Sequence, residues 1–385
     1  MYKYFPKNYM WSLAVLRMFL AGGLIGEINR VGKKLEPLQD SGPQGDNEAW
    51  HEEWFALAKQ LEERGDEAVA AGHTQTAYAN FLRASQYYFW SEAFLAPEDE
   101  RKVKSLELLL GSFAKAAELS DGQIQVVKIP YEDTTLPGYF MPAKQVAGPA
   151  PCLVMFGGLD SAKEEFVPVA EYFNARGISA LVLEGPGQGE ALKLQKLHSR
   201  FDYEVPAGAA FDYAASRDDV DESRIALFGA SMGGYYAARA AAFEKRFVAC
   251  VVLGAQYDYR ETWVRRMNVS PGAPLPAPQS HLFDVLGVSN WDEALEALTL
   301  FTLAGVAEKI ECPTLVTHGE LDKQIAVEDA RSFFAELGAQ DKELRIFTDE
   351  EGGSAHCQLD CWEPCYSYVA DWLAEQLGAK AAVPA

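Results

Sequence analysis

The chain has 385 residues, 49% of them hydrophobic, enough for the core of one domain of about 250 residues plus a further module. Its 34 basic and 56 acidic residues leave a net charge of −22. That balance excludes nucleic acid and anionic membrane surfaces as partners, since both are bound through basic patches, and leaves a small-molecule substrate.

Residues 1–121 read as a helical N-terminal domain. Met10 through Gly26 is apolar enough to suggest a signal or an anchor, but Arg17 stands at its middle, where an inserted charge costs about 2.5–3.5 kcal/mol. No small-x-small cleavage site follows it, so a helix packed on a cytoplasmic protein is expected. From Glu48 to Ala71 the apolar positions Trp50, Trp54, Leu57, Ala58 and Leu61 recur at three-to-four spacing, and Gly72 closes the helix. The pattern continues over Thr76–Leu95 and Glu98–Leu119 without the sustained period of a solenoid. Tyr87-Tyr88-Phe89-Trp90 reads as helix–helix core, with a place facing a substrate pocket as the alternative.

From residue 122 the texture changes to strands, Ile124–Ile129, Leu136–Phe140, Pro151–Phe156 and Ser179–Leu183, and strand then alternates with helix to the end. Such alternation predicts an α/β fold, a mostly parallel sheet with helices on both faces. We divide it into a first core part at 122–255, a cap insertion at 256–311 carrying the proline-rich run Ser270–Pro278 and helical text over Asn290–Lys309, and a second core part at 312–385. Glu184-Gly-Pro-Gly-Gln-Gly-Glu190 has the wrong glycine spacing for a dinucleotide fingerprint and reads as a tight turn near a site rim, so no cofactor is implied.

The most informative segment is Gly229-Ala230-Ser231-Met232-Gly233-Gly234, between the strand Arg224–Phe228 and the small-residue helix Tyr235–Ala242. Glycine two residues either side of a serine, at a strand-to-helix turn, is the G-x-S-x-G nucleophile elbow. An acid and then a histidine should follow in the chain. Asp322 leaves the strand Pro313–Thr317 in the turn His318–Asp322. Among six histidines, His356 alone stands in a glycine-rich loop after the final strand, Glu343–Phe347. A serine hydroxyl is too weak a nucleophile at neutral pH, so His356 takes its proton and Asp322 orients the imidazole.

Negative charge arising on the substrate needs preset donors. Met232 N–H, directly after the nucleophile, is one; Gly158 or Leu159, in the Gly157-Gly158-Leu159 loop, supplies the second. Ser161-Ala-Lys-Glu164 fits a capping box, which would leave Asp160 free to face the site and pass a proton or bind substrate.

The six cysteines read as reduced, buried thiols. Cys357, Cys361 and Cys365 have helical spacing beside His356, but Pro364 interrupts them and no second ligand cluster appears, so no metal is expected.

Together, Gly157-Gly-Leu-Asp160, Glu184–Glu190, Gly229–Gly234, His318–Asp322 and Ala355-His-Cys357 behind a helical N-terminal region resemble the α/β-hydrolase family of 2,6-dihydroxypseudooxynicotine hydrolase and the fungal yellowish-green polyketide-shortening hydrolases. The likeness runs from about residue 47 to 376. It implies cleavage of a carbon–carbon bond beside a ketone, a homodimer, a helical domain closing the pocket, and a functional acid at Asp160. Aspartate there, as in the fungal members, implies a polyketide-like or aryl 1,3-diketone substrate. An ester, thioester or peptide substrate on the same residues is the alternative; an acyltransferase or lyase and a non-catalytic binding protein are more remote readings.

Overall fold

Among the described residues, 1–42, 45–268 and 279–380 of the computed structural model, five α-helices precede the first strand: α1 Tyr9–Leu20, α2 Ile25–Leu35, α3 Asn47–Ala70, α4 Thr74–Glu92 and α5 Glu100–Glu118. The proline-rich run at 270–278 lies outside the described residues. Asn8, Asp46 and Asp99 cap α1, α3 and α5, each side chain accepting a backbone N–H of the first turn. The apolar run at 10–26 is broken rather than continuous, because Gly22 takes φ +90° between α1 and α2.

Helix α1 has two buried faces. Trp11, Ala14, Val15 and Met18 join an aromatic core with Trp50, Trp54 and Tyr87, in which the Trp11 and Trp50 rings lie 4.8 Å apart. Leu13 and Leu16 instead pack with Phe166, Phe228 and Tyr366 against the sheet. The helix thereby joins the N-terminal domain to the rest of the protein, and no helix among the described residues is long and apolar enough to cross a membrane.

Among the described residues, eight strands form one sheet: β1 Gln125–Tyr131, β2 Thr134–Met141, β3 Ala150–Phe156, β4 Ser179–Leu183, β5 Val220–Ala230, β6 Cys250–Leu253, β7 Thr314–Gly319 and β8 Lys342–Phe347. Their order is β1-β2-β4-β3-β5-β6-β7-β8; β2 runs antiparallel to β1 and β4, and all other pairs are parallel. β3 is buried throughout, Cys152, Val154 and Phe156 on one face and Leu153 and Met155 on the other, as a parallel strand covered on both sides requires.

The covering helices follow in order: α6 Val167–Asn174, α7 Gly189–Lys193, α8 Glu204–Ala215, α9 Met232–Phe243, α10 Tyr259–Met267, α11 Gln279–Leu286, α12 Trp291–Ala297, α13 Val327–Glu336 and α14 Trp362–Gln376. α8, α9 and α13 pack on one face, α6 and α14 on the other. Helices α10–α12 lie between β6 and β7, in the segment expected to form a cap and called the cap below. The helical text expected over Asn290–Lys309 is only partly helical: Leu303 N–H bonds Tyr257 O and Thr302 bridges Asp258, so tertiary pairing overrides local propensity there.

Two glycines set how closely β5, α9 and β3 approach. A Cβ on Gly229 would stand 1.8 Å from Gly233 O, and one on Gly233 would stand 2.3 Å from Phe156 O, both backbone atoms that cannot step aside. Gly229→Ala is therefore expected to destabilise by about 3 kcal/mol or more. Gly111→Ala, inside α5 with open space around it, should stabilise by about 0.5–1 kcal/mol. Urea titration of both variants checks the pair of opposite signs.

Candidate active site

Between the last residue of β5 and the first of α9, Ser231 takes φ 57°, ψ −119°, a left-handed conformation that a β-carbon disfavours. The turn presents its hydroxyl at the C-terminal edge of the sheet, where open α/β sheets bind ligands. Asp322 follows β7, and His356 lies in the loop after β8. The structure brings all three together: Ser231 Oγ is 3.0 Å from His356 Nε2, and His356 Nδ1 is 2.7 Å from Asp322 Oδ2. These partners assign the tautomer, Nδ1–H donating to the carboxylate and Nε2 accepting from the hydroxyl.

The carboxylate is pinned. Asp322 Oδ1 accepts the N–H groups of Gln324 (2.7 Å) and Ile325 (3.0 Å), and its side chain is wholly buried. Burial pushes the Asp322 carboxyl up, but His356, His318 and the Ile325 amide more than reverse this and hold it below the usual carboxylate range. Burial likewise pushes the His356 imidazole down, and the Asp322 carboxylate reverses that, raising it above an ordinary histidine. His318 donates Nε2–H to Ile325 O and is a packed strand-end residue that burial keeps neutral.

The predicted donors divide. Neither Met232 N–H, at the first position of α9, nor Leu159 N–H has a hydrogen-bond partner among the described residues. Gly158 does not fit the donor role expected of it, because its N–H is already given to Ser161 Oγ at 2.9 Å. For the same reason Ser161 is not the helix cap. The short 3₁₀ helix Lys163–Phe166 begins after Ala162, and Glu165 rather than Glu164 reaches back to the Ala162 N–H. Glu164 is drawn instead into a buried cluster with Lys163 and Tyr139.

Asp160 faces the cavity beside these groups, but not as a free acid. Its Oδ2 is 2.9 Å from Arg17 Nη1, and Arg17 Nη2 also binds Glu165 at 2.6 Å while stacking on Trp90. Partial desolvation pushes the Asp160 carboxyl up, 45% of its side chain being exposed, and Arg17 more than offsets it, so Asp160 is held below the usual range; at Glu165, with 7% of its side chain exposed, burial wins and the carboxyl is raised. Both carboxylates are paired to the one guanidinium, and Asp160 is the one held below its ordinary range.

A cavity contains Ser231, His356, Asp160 and Arg17, roofed by Leu13 and Leu20 of α1 and by Tyr259 and Arg266 of the cap. A second lobe adjoins it across Arg17 and Asp160 and is lined by Phe89 and Trp90, whereas Tyr87 and Tyr88 lie in the helical core. The aromatic run thus serves both roles read for it.

Four side chains at the site escape sequence reasoning. Arg17 reads only as a charge opposing membrane insertion; a lone arginine in an apolar helix signals a partner from elsewhere. Gln188, in the Glu184–Glu190 turn, donates Nε2–H to Gly157 O at 2.6 Å and so fixes the Gly157–Leu159 loop against that turn. Cys357 Sγ lies 3.5 Å from His356 Nε2, on the ring nitrogen that Ser231 uses. The three clustered cysteines share no helix face: Cys357 and Cys361 precede α14, and only Cys365 is within it. Arg266 carries no sequence signal.

A parallel sheet in this order, with a nucleophile turn after β5, defines an α/β-hydrolase. The chain belongs to that family. Residues 42–262 match the family model described as esterase FrsA-like, and residues 207–379 match the prolyl oligopeptidase family. It is 32% identical to the hydrolase acrC of Aspergillus aculeatus, over 99% of both chains, and 28% identical to the 20-hydroxy-prefusarin hydrolase FUS2 of Gibberella moniliformis, over 87% of this chain and 90% of that one. Its fold is that of 2,6-dihydroxy-pseudo-oxynicotine hydrolase, with a TM-score of 0.79, 24% identity, and coverage of 96% and 98%. The protein is a hydrolase.

NMR titration of the His356 ring is expected to give a pKa above the ordinary 6.5 in the native protein and a lower one in Asp322→Asn, where burial has lost its largest opponent and only Cys357 still acts against it. The pairing adds stability that is full below pH 6.5 and is lost as pH rises through the folded His356 value; on the Asp322 side it is present above pH 3.8 and lost as pH falls through that group's lowered value. Equal ring pKa values in the two proteins would contradict this account.

Proposed function

We propose that this hydrolase cleaves an activated carbon–carbon bond beside a ketone, in a polyketide-like or aryl 1,3-diketone substrate. The observation that carries the reading is the Ser231–His356–Asp322 hydrogen-bonded line facing a cavity that also holds an ionised, arginine-paired carboxylate, Asp160. The names of the relatives lend support, since one acts on 20-hydroxy-prefusarin and the fold neighbour on a pseudo-oxynicotine.

In this reaction Ser231 Oγ attacks the ketone carbon while His356 Nε2 takes its proton, and the N–H groups of Met232 and Leu159 receive the oxyanion. Collapse breaks the carbon–carbon bond, and the leaving carbon departs as an enolate that the His356 imidazolium protonates. Water, activated by the same imidazole, then releases the acid from Ser231. Asp160 is better suited to accept a hydrogen bond from substrate or water than to supply the proton, because Arg17 keeps it charged.

Simple ester hydrolysis is the second reading, favoured by the match to a family model described as an esterase. Ser231→Ala should lower kcat by about 10⁴-fold or more on either substrate class. Product analysis separates the two readings: Asp160→Asn should lose diketone cleavage yet keep p-nitrophenyl ester hydrolysis. Equal retention of both activities would reject the carbon–carbon assignment.

A further inference from the structure

Arg266, on α10 of the cap, lines the same cavity as Ser231 and His356 and is 6% exposed. Its neighbours Arg260 and Arg265 are paired with Glu261 and Asp329, and Arg17 has two carboxylates. Among the described residues, no carboxylate lies within 4.0 Å of Arg266, and residues 269–278 contain no Asp or Glu. What surrounds the guanidinium is neutral: Nη2 donates to Gln324 O at 3.0 Å, the Trp263 ring lies 4.5 Å away, and the Tyr259 hydroxyl faces it. Asp322 acts on it through space, but both Asp322 oxygens are taken by His356 and by the Gln324 and Ile325 amides. Among the described residues, Arg266 Nε is buried with no hydrogen-bond partner.

A buried cation with no carboxylate in contact destabilises a fold, and it is retained where function needs it. The cleavage proposed above creates a negative charge twice, once on the attacked oxygen and once on the departing fragment. Met232 and Leu159 serve the first, at the elbow side of the cavity. We infer that Arg266 serves the second: it is a subsite, delivered by the cap, for the enolate oxygen of the leaving fragment.

This inference rests on the carbon–carbon reading. When the tetrahedral adduct on Ser231 collapses, the electron pair of the breaking bond moves onto the α-carbon and delocalises to the adjacent carbonyl oxygen. That oxygen becomes the contacting anion that Arg266 lacks. The His356 imidazolium then delivers its proton to the α-carbon, leaving a neutral ketone that Arg266 holds less tightly. The interaction strengthens in the transition state and relaxes in the product, so it acts on rate more than on substrate binding.

The test uses 1-phenylbutane-1,3-dione, ionised above its own pKa, as an enolate probe, and 2,2-dimethyl-1-phenylbutane-1,3-dione, which cannot form the conjugated enolate, as its neutral counterpart. Both are titrated into Ser231→Ala protein with and without Arg266→Met. The preference for the enolate should fall by about 10- to 100-fold on loss of Arg266, the range of a hydrogen bond to a charged group. Arg266→Lys should keep most of that preference, and a purely structural residue would weaken both probes alike. An undiminished preference in Arg266→Met, or a loss in Arg266→Lys as large as in Arg266→Met, would overturn the assignment. If Arg266→Met does not fold, Arg266→Gln takes its place, with the same criteria. Diketone turnover by the unaltered enzyme is followed separately: its absence would end the carbon–carbon reading while the probe ratio still reports whether Arg266 binds an enolate.

Discussion

The site depends on one backbone constraint, the left-handed turn at Ser231. A serine in that conformation persists only when its surroundings over-determine it. Here the surroundings are β5 running into α9 at near-contact distance, with Gly229, Gly233 and the Phe156 carbonyl leaving no space for a side chain. Among the described residues, the first N–H of α9, that of Met232 directly after the serine, has no hydrogen-bond partner. Asp322 and His356 then need only be placed by two neighbouring strand ends, and the parallel order β5-β6-β7-β8 puts those ends on one edge.

Around this frame the cavity is built from charge brought in by elements outside the sheet. Arg17 comes from α1, a helix buried on two faces, and joins Asp160 and Glu165 in a network whose desolvation is repaid only because both carboxylates bind the same guanidinium. Arg266 comes from the cap without such a partner. The two arginines thus differ in kind: one sets the ionisation of a neighbouring acid, and the other remains available to a ligand. Gln188 acts on geometry alone, tying the Glu184–Glu190 turn to the Gly157 carbonyl.

How much of this could be read from the chain follows from where each constraint originates. Ser231 was legible because a strained turn dictates its flanking residues locally, and Asp322 and His356 because they follow it in order at recognisable strand ends. The alternation of strand and helix likewise disclosed the sheet. Arg17 and Asp160 stand 143 positions apart, so neither reveals the other. The capping box at Ser161 fitted the local pattern but lost to tertiary bonds, with Ser161 taken by the Gly158 amide and Glu164 by a buried lysine. The cap was the least readable part, because its non-helical stretch is held by pairing with the segment after β6 rather than by its own propensity.

The central claim is that Ser231 is activated by His356. Treatment with a fluorophosphonate, followed by peptide mapping, tests it most directly. The account predicts a single covalent adduct on Ser231 that forms rapidly in the native protein and is lost in His356→Ala; no adduct, or one on another residue, would contradict it.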